Sequence, residues 1–311
     1  MPERVPEPVL GEVATASRSR SPRLKLLAAL GLTAVLALLA FTVFGGATRT
    51  IVDPVAEAAT VSSEAPGYRM HFSFQLTSST SPTAVTAIGN GSFDPHAGAG
   101  SMTLAMNFGN NPQVLQTLGS NTFSMHEILS GTTVYMKLPA ALSSSLPTSG
   151  KQWIEIDFAK LSSLPGLSAL ASNPVSQDPS QMLQYLRAVS DSVVAEGNQR
   201  VDGLETTHYH AELNLARVPG ALPAAEQAAA RQALSALAQV MPAGDVPVDV
   251  WIDAHHLVRR IQMTIDANLG AGQTLEEAMT MDLSHYGPQP LPALPPAGEV
   301  ANLSGSISSG G

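Results

Sequence analysis

Apolar and polar residues alternate with a period of two over several stretches of the chain, a pattern typical of half-buried β-strands. In YRMHFSFQL, every second residue from Met70 to Leu76 is apolar, and the residues between them are polar. Because side chains of a strand point alternately to its two faces, each such stretch predicts one apolar face. The pattern recurs in SMTLAMNF and TTVYMKL and predicts a shared apolar face with these side chains: Met70, Phe72, Phe74, Met102, Leu104, Met106, Val134 and Met136.

Turn signals separate several of the predicted strands. Ser130-Gly131 lies between TFSMHEIL and TTVYMKL, and Asp202-Gly203 lies between SVVAEG and ETTHYHAELNL. The sequence Asp253-Ala-His-His separates VPVDVWID from LVRRIQMTID. Glycine and aspartate in such positions supply the positive φ that tight hairpins need. Together with KQWIEIDF and EAMTMDLSHYG, the pattern predicts roughly ten strands in long antiparallel runs.

Helical periodicity interrupts the strands in the middle of the chain. In DPSQMLQYLRAVS, Asp178 can cap a helix that has Pro179 at its first position. A second helix is predicted from Pro223, and a looser one over residues 157–172. Strands with inserted helices indicate an α+β fold, with helices packed against one face of a curved sheet. The predicted helices present these apolar side chains: Leu183, Leu186, Leu234 and Leu237.

Residues 26–44 contain no charge, and only Gly31, Thr33 and Thr42 dilute the aliphatic run. At 1.5 Å per residue its 19 residues would span about 28 Å, close to the roughly 30 Å of a bilayer core and longer than the apolar region of a cleaved signal peptide. Five Lys or Arg precede the run and only Arg49 closely follows it, so the positive-inside rule places the N-terminus in the cytoplasm. We therefore expect a single-pass anchor, with the rest of the chain outside the cell membrane.

Charge and cysteine content narrow the class of protein. Residues 1–25 carry five Lys or Arg and three Glu, so their net charge is +2. Because the net charge of the whole chain is −9, the remaining residues have a net charge of −11. An acidic outer part does not favour nucleic acid as a partner. The chain has 0 cysteines, so neither disulfides nor an acylated lipobox cysteine are expected.

The motif content of the chain favours binding over catalysis. No nucleophile elbow, His-Glu-x-x-His motif, Walker loop or dinucleotide fingerprint occurs, so we predict no enzyme and no cofactor. His208, His210 and Glu212 share one face of a predicted strand and could ligate zinc. The opposite face of that strand is apolar, so the trio is expected on the solvent side, and we predict no metal.

Methionines are the other unusual feature of the predicted strands. A flexible, polarizable side chain suits irregular or variable apolar partners, but it also fills gaps in an ordinary core. The composition leaves both interpretations open. The methionines concerned are these: Met70, Met102, Met106, Met125, Met136, Met263, Met279 and Met281.

Three stretches resemble the LppX/LprG-type lipoproteins of mycobacteria, whose fold is similar to that of the periplasmic lipoprotein carrier LolA. The stretches are EGNQRVDGLETTHYHAEL, VPVDVWIDAHHLVRRIQM and MDLSHYGPQPLPALPPAGEV. The resemblance implies a strongly curved antiparallel half-barrel whose concave face is covered by two or three helices. It also implies a hydrophobic cavity for acyl chains, in a lipid or glycolipid binder or carrier. A sensing or protein-interaction module of the cell envelope is the alternative.

The resemblance and the patterns together predict the organisation of the chain. The twelve apolar residues named on the strands and helices are the expected cavity lining. The missing lipobox cysteine departs from the family, and the predicted membrane helix takes its place. The expected divisions are a disordered cytoplasmic tail, an anchor, a linker, the lipid-binding domain and a disordered tail: 1–23, 24–46, 47–67, 68–303 and 304–311.

Overall fold

Twelve β-strands of the described residues form one large, curved, mostly antiparallel sheet. The protein is represented by a computed structural model that describes residues 54–139, 148, 150–157, 190–213, 227, 231, 246–270 and 272–302. The helices are α1 (Pro54–Ser63), α2 (Pro112–Leu118) and a 3₁₀ turn (Ala297–Glu299). The strands are β1 (Tyr68–Ser78), β2 (Ser81–Asp94), β3 (Ala99–Asn107), β4 (Thr122–Ser130), β5 (Thr133–Lys137), β6 (Trp153–Asp157), β7 (Ser190–Val201), β8 (Leu204–Leu213), β9 (Val246–Asp253), β10 (Val258–Gly270), β11 (Gln273–Ser284) and β12 (Val300–Asn302).

The strand order is β12-β6-β5-β4-β3-β2-β1-β11-β10-β9-β8-β7. Strands β1 to β6 and β7 to β11 each pair in sequence as antiparallel neighbours, and the pairing of β1 with β11 joins the two series. Strand β12 pairs with β6 in parallel. The expected large antiparallel sheet is therefore present, with more strands than the sequence pattern predicted.

The register of the strands separates an apolar face from a polar face. Phe72 lies opposite Met281 of β11 and Gly89 of β2, while its neighbour His71 lies opposite Asp282 and Asn90. Residues directly opposite each other share a face, so one face can be followed across the sheet. The apolar face includes these residues of the central strands: Tyr68, Met70, Phe72, Phe74, Leu76, Ala87, Met102, Leu104, Met106, Met125, Ile261, Met263, Met279, Met281 and Leu283.

The predicted hairpin turns are confirmed. Asp202 and Gly203 have φ of 49° and 80° between β7 and β8, as a two-residue turn with two positive φ angles requires. Gly131 has φ of 59° after β4. In the β9–β10 turn, the Asp253 carboxylate accepts hydrogen bonds from the backbone N–H of His255 at 2.8 Å and of Leu257 at 3.0 Å.

Part of the predicted linker is a helix. Helix α1 falls within 47–67, and its Val55, Ala58, Ala59 and Ser62 are 0% exposed. Its apolar side chains belong to the same buried cluster as Ile252 and Val258. We expected residues 47–67 to be a linker. Burial of small side chains of α1 against the sheet stabilises a helix there instead.

The predicted membrane helix over 24–46 lies outside the described residues, as do the tails 1–23 and 304–311. No helix within the described ranges is long and apolar enough to span a bilayer. The central helices predicted near 157–172, 178–190 and from 223 also fall almost entirely outside these ranges, so the covering of the sheet by helices stays a prediction.

Helix α2 and strand β2 were not predicted. The α2 sequence carries clear signals, since the Asn111 side chain caps the backbone N–H of Gln113 and Val114, and Gly119 ends the helix with φ of 73°. Strand β2 contains Gly89 and Gly91, which reduce strand propensity. Pairing with β1 and β3 on both sides fixes β2 despite these glycines.

Candidate functional site

The apolar face of the sheet collects all eight methionines of the described strands. Met70, Phe72 and Phe74 of β1 lie opposite Leu283, Met281 and Met279 of β11. On the other side of β1, the register continues through β2 to β3, β4 and β5. The sequence placed these methionines in strands, and the register places them together: Met70, Met102, Met106, Met125, Met136, Met263, Met279 and Met281.

Two parts of the apolar face differ in how fully they are covered. On β9 to β11, Val248, Val250, Ile261 and Met281 are 0% exposed. On β3 to β6, several apolar side chains of the same face are only half-buried, beside fully buried neighbours such as Met106 and Met125. We call this second region the open part of the apolar face and define it by these residues: Met102, Leu104, Phe123, Val134, Met136 and Ile156.

The predicted cavity residues divide between these environments. Met70, Phe72, Phe74 and Met106 are 4–6% exposed and pack in the core cluster. Met102, Leu104, Val134 and Met136 belong to the open part. All eight strand residues share one face. The four predicted helix residues lie outside the described part of the chain: Leu183, Leu186, Leu234 and Leu237.

Two glutamates lie on the apolar face and were not among the predicted site residues. Glu127 lies opposite Met102 of β3 and Met136 of β5. Glu277 lies opposite Leu76 of β1 and Ile265 of β10. Burial raises the pKa of each carboxyl from 4.5 to about 7. Within the described part of the chain, neither carboxyl accepts a hydrogen bond or forms an ion pair.

A sequence signal for these glutamates exists. In TFSMHEIL, Glu127 is two residues from both Met125 and Leu129. In LEEAMTMDL, Glu277 is two residues from both Leu275 and Met279. A strict alternation therefore places each carboxyl on the apolar face. A charged residue at a position that alternation assigns to the apolar face of a strand is therefore the sequence signal for such a glutamate.

The polar face carries the histidines that were candidate zinc ligands. His208 Nε2 and His210 Nδ1 lie 2.8 Å and 3.0 Å from the same Asp249 carboxylate oxygen. His210 Nε2 lies 3.5 Å from a Glu212 carboxylate oxygen. The hydrogen bond with Asp249 raises the pKa of His210 above 6.5, and partial desolvation opposes it. The expected solvent-side placement of the trio is confirmed.

The polar cluster is supported by an aromatic contact. The His208 ring stacks on Trp251 with 4.3 Å between centroids, and the Trp251 indole N–H donates to the Gln199 side-chain oxygen at 2.8 Å. Each histidine thus has a side-chain partner within the sheet. In the described ranges, no group of three or more His, Asp or Glu side chains has the geometry to hold a metal ion.

No protein-family model and no curated protein matches this sequence. Among solved structures, the chain is similar to LprF from Mycobacterium bovis, at 13% identity and a TM-score of 0.39 over 77% of this chain and 94% of that one. It is also similar to the Mycobacterium tuberculosis lipoprotein LppX, at 15% identity and a TM-score of 0.37 over 77% and 98%. A DUF1329 family protein from Desulfovibrio piger gives 9% identity and a TM-score of 0.24 over 75% and 90%.

Two mycobacterial lipoproteins of the kind predicted from the sequence are thus among the solved structures that this chain resembles. Because each TM-score is below 0.5, none of these likenesses decides what this chain binds.

Proposed function

We propose that this protein is a membrane-anchored, extracytoplasmic binding protein for acyl lipids or glycolipids, which holds acyl chains against the apolar face of its sheet. The observation that carries the proposal is the incomplete covering of that face. Side chains of the open part are as apolar as those under β9 to β11, yet they retain access to solvent. Six half-buried apolar side chains that share one face can contact an apolar ligand.

The side chains of the open part suit an acyl chain. Met102 and Met136 are flexible and polarizable, so they can adapt to chains of different length and branching. Burial contributes about 0.8 kcal/mol per methylene, so a 16-carbon chain brings roughly 12 kcal/mol before the cost of ordering it. Apolar contacts can therefore supply most of the binding energy, and we propose binding and transport of lipid rather than catalysis.

The experiment that tests the proposal is native mass spectrometry of the full chain purified from its host membrane. Retained lipid, seen as a discrete added mass that contains acyl chains after extraction, supports lipid binding. An unliganded mass together with a protein that stays bound through purification contradicts it and favours the alternative of an envelope sensing or interaction module.

A further inference from the structure

Glu127 occupies an unusual place on the apolar face. It lies on β4 between Met102 of β3 and Met136 of β5, and its neighbours two residues away on the same strand are Met125 and Leu129. Its four nearest positions on this face are therefore all apolar. Three of the side chains are methionines, which offer a carboxylate no hydrogen.

Glu127 lies between two residues of the open part of the apolar face, Met102 and Met136. Glu127, Met102 and Met136 are all half-buried, whereas Met281 on the covered side is 0% exposed. No Lys, Arg or His on β3, β4 or β5 shares the face of Glu127, because the paired His126 and Lys137 lie on the opposite face. A carboxyl without a donor weakens an apolar surface, so it is not explained by packing.

We propose that Glu127 is a specificity-determining residue that receives hydroxyl groups of the bound lipid and disfavours lipids whose polar end is anionic at that position. The inference rests on the proposed lipid binding and adds the polar chemistry of the ligand. A hydroxyl donates to a carboxylate and can also accept from a protonated carboxyl, so it suits Glu127 in either state. A sulfate ester offers only acceptors, and both sulfate and phosphate groups bring a charge of the same sign as the carboxylate.

Glu277 provides a matched control inside the same fold. It has the same four-sided apolar surroundings, formed by Leu76, Ile265, Leu275 and Met279. It is only 8% exposed and lies between β1 and β10, away from the open part. Glu277→Gln therefore makes the same chemical change without altering the surface proposed to meet the ligand.

The experiment measures the preference of the full chain for hexadecanol over hexadecyl sulfate. The two probes share one 16-carbon chain, and the sulfate stays ionised between pH 5 and pH 8. Competition is read by native mass spectrometry of wild type, Glu127→Gln and Glu277→Gln in tetraethylene glycol monooctyl ether. At pH 8 we expect wild type to prefer hexadecanol, Glu127→Gln to reduce that preference at least tenfold, and Glu277→Gln to leave it within twofold.

The outcomes separate this inference from the function on which it rests. If wild type binds neither probe, acyl-chain binding itself fails. If wild type binds both but Glu127→Gln leaves the preference unchanged, or Glu277→Gln changes it equally, the assignment to Glu127 is overturned.

A second measurement covers the case in which Glu127→Gln does not fold. The Glu277→Gln protein keeps Glu127. Its preference for hexadecanol over hexadecyl sulfate should fall at least fivefold from pH 8 to pH 5, because protonation of Glu127 removes the charge that repels the sulfate. A preference that does not change with pH contradicts the proposal.

Discussion

The Ser62 hydroxyl oxygen accepts a hydrogen bond from the backbone N–H of Val258 at 2.8 Å and so ties α1 to the first residue of β10. Both residues are 0% exposed. The carbonyl of Val258 accepts a hydrogen bond from the Tyr286 hydroxyl at 2.5 Å. Helix α1 is therefore part of the folded domain, although residues 47–67 were expected to be a linker.

Replacing Ser62 should destabilise the domain. In Ser62→Ala the buried N–H of Val258 loses its acceptor, and a buried unsatisfied donor costs about 1–3 kcal/mol. Urea unfolding measures the free energy difference from wild type. Ser63→Ala is the matched control, because the Ser63 hydroxyl only donates to Thr60 within the same helix. Equal effects of the two substitutions would show that α1 is not fixed through Ser62.

The free energy of unfolding should fall as pH rises from about 4.5 to about 7. The reason is that burial raises the pKa of the Glu277 carboxyl from 4.5 to about 7 in the folded state. The folded state then binds more protons than the unfolded state, so the contribution is complete below pH 4.5 and is lost by pH 7 and above. A shift of this size corresponds to about 3 kcal/mol. The Glu127 carboxyl acts in the same direction.

Glu277→Gln should therefore flatten the pH dependence of stability and make the domain more stable than wild type at pH 8. Urea unfolding at pH 5 and pH 8 tests this. Glu276→Gln is the control, since Glu276 is exposed on the polar face. A Glu277→Gln protein that keeps the wild-type slope would show that this carboxyl does not control it.

The histidine pair on the polar face should matter for stability and not for lipid binding. The His208→Ala, His210→Ala double variant loses both contacts with Asp249, at a cost of under about 1 kcal/mol because the pair is partly exposed. The raised pKa of His210 makes this stabilisation present below pH 6.5 and lost at higher pH, so the loss should be greater at pH 5.5 than at pH 8. Urea unfolding at the two pH values measures it. Reduced lipid occupancy in native mass spectrometry would contradict the assignment of binding to the opposite face.

The alternation of apolar and polar residues predicted the individual strands and which of their residues share a face. The period of two placed Met70, Phe72 and Phe74 on one face, and the turn at Asp202-Gly203 fixed the β7–β8 hairpin. Pairing between distant strands could not be predicted in this way. The contact of β1 with β11 joins residues about 200 positions apart, and no local pattern encodes it.

The missed features depend on tertiary contacts. Gly89 and Gly91 weaken β2 locally, and only the neighbouring strands hold it in place. Glu127 and Glu277 were not predicted for another reason. Their positions in the alternating pattern placed them on the apolar face, but a carboxyl on such a face is rare. Which methionines line the open part also depends on what covers each strand, as the 0% exposure of Met281 and the half-buried Met102 show.

The central claim is that acyl lipid occupies the open part of the apolar face, and lipid occupancy of Val134→Trp tests it most directly. Val134 is half-buried on β5, so an indole there should fill the space proposed for the acyl chain. Ile88→Trp is the matched control, because Ile88 is 50% exposed on the polar face of β2. In native mass spectrometry of the full chain, we predict that Val134→Trp loses bound lipid while Ile88→Trp retains it and both fold as wild type does. Full lipid occupancy in folded Val134→Trp would contradict the account.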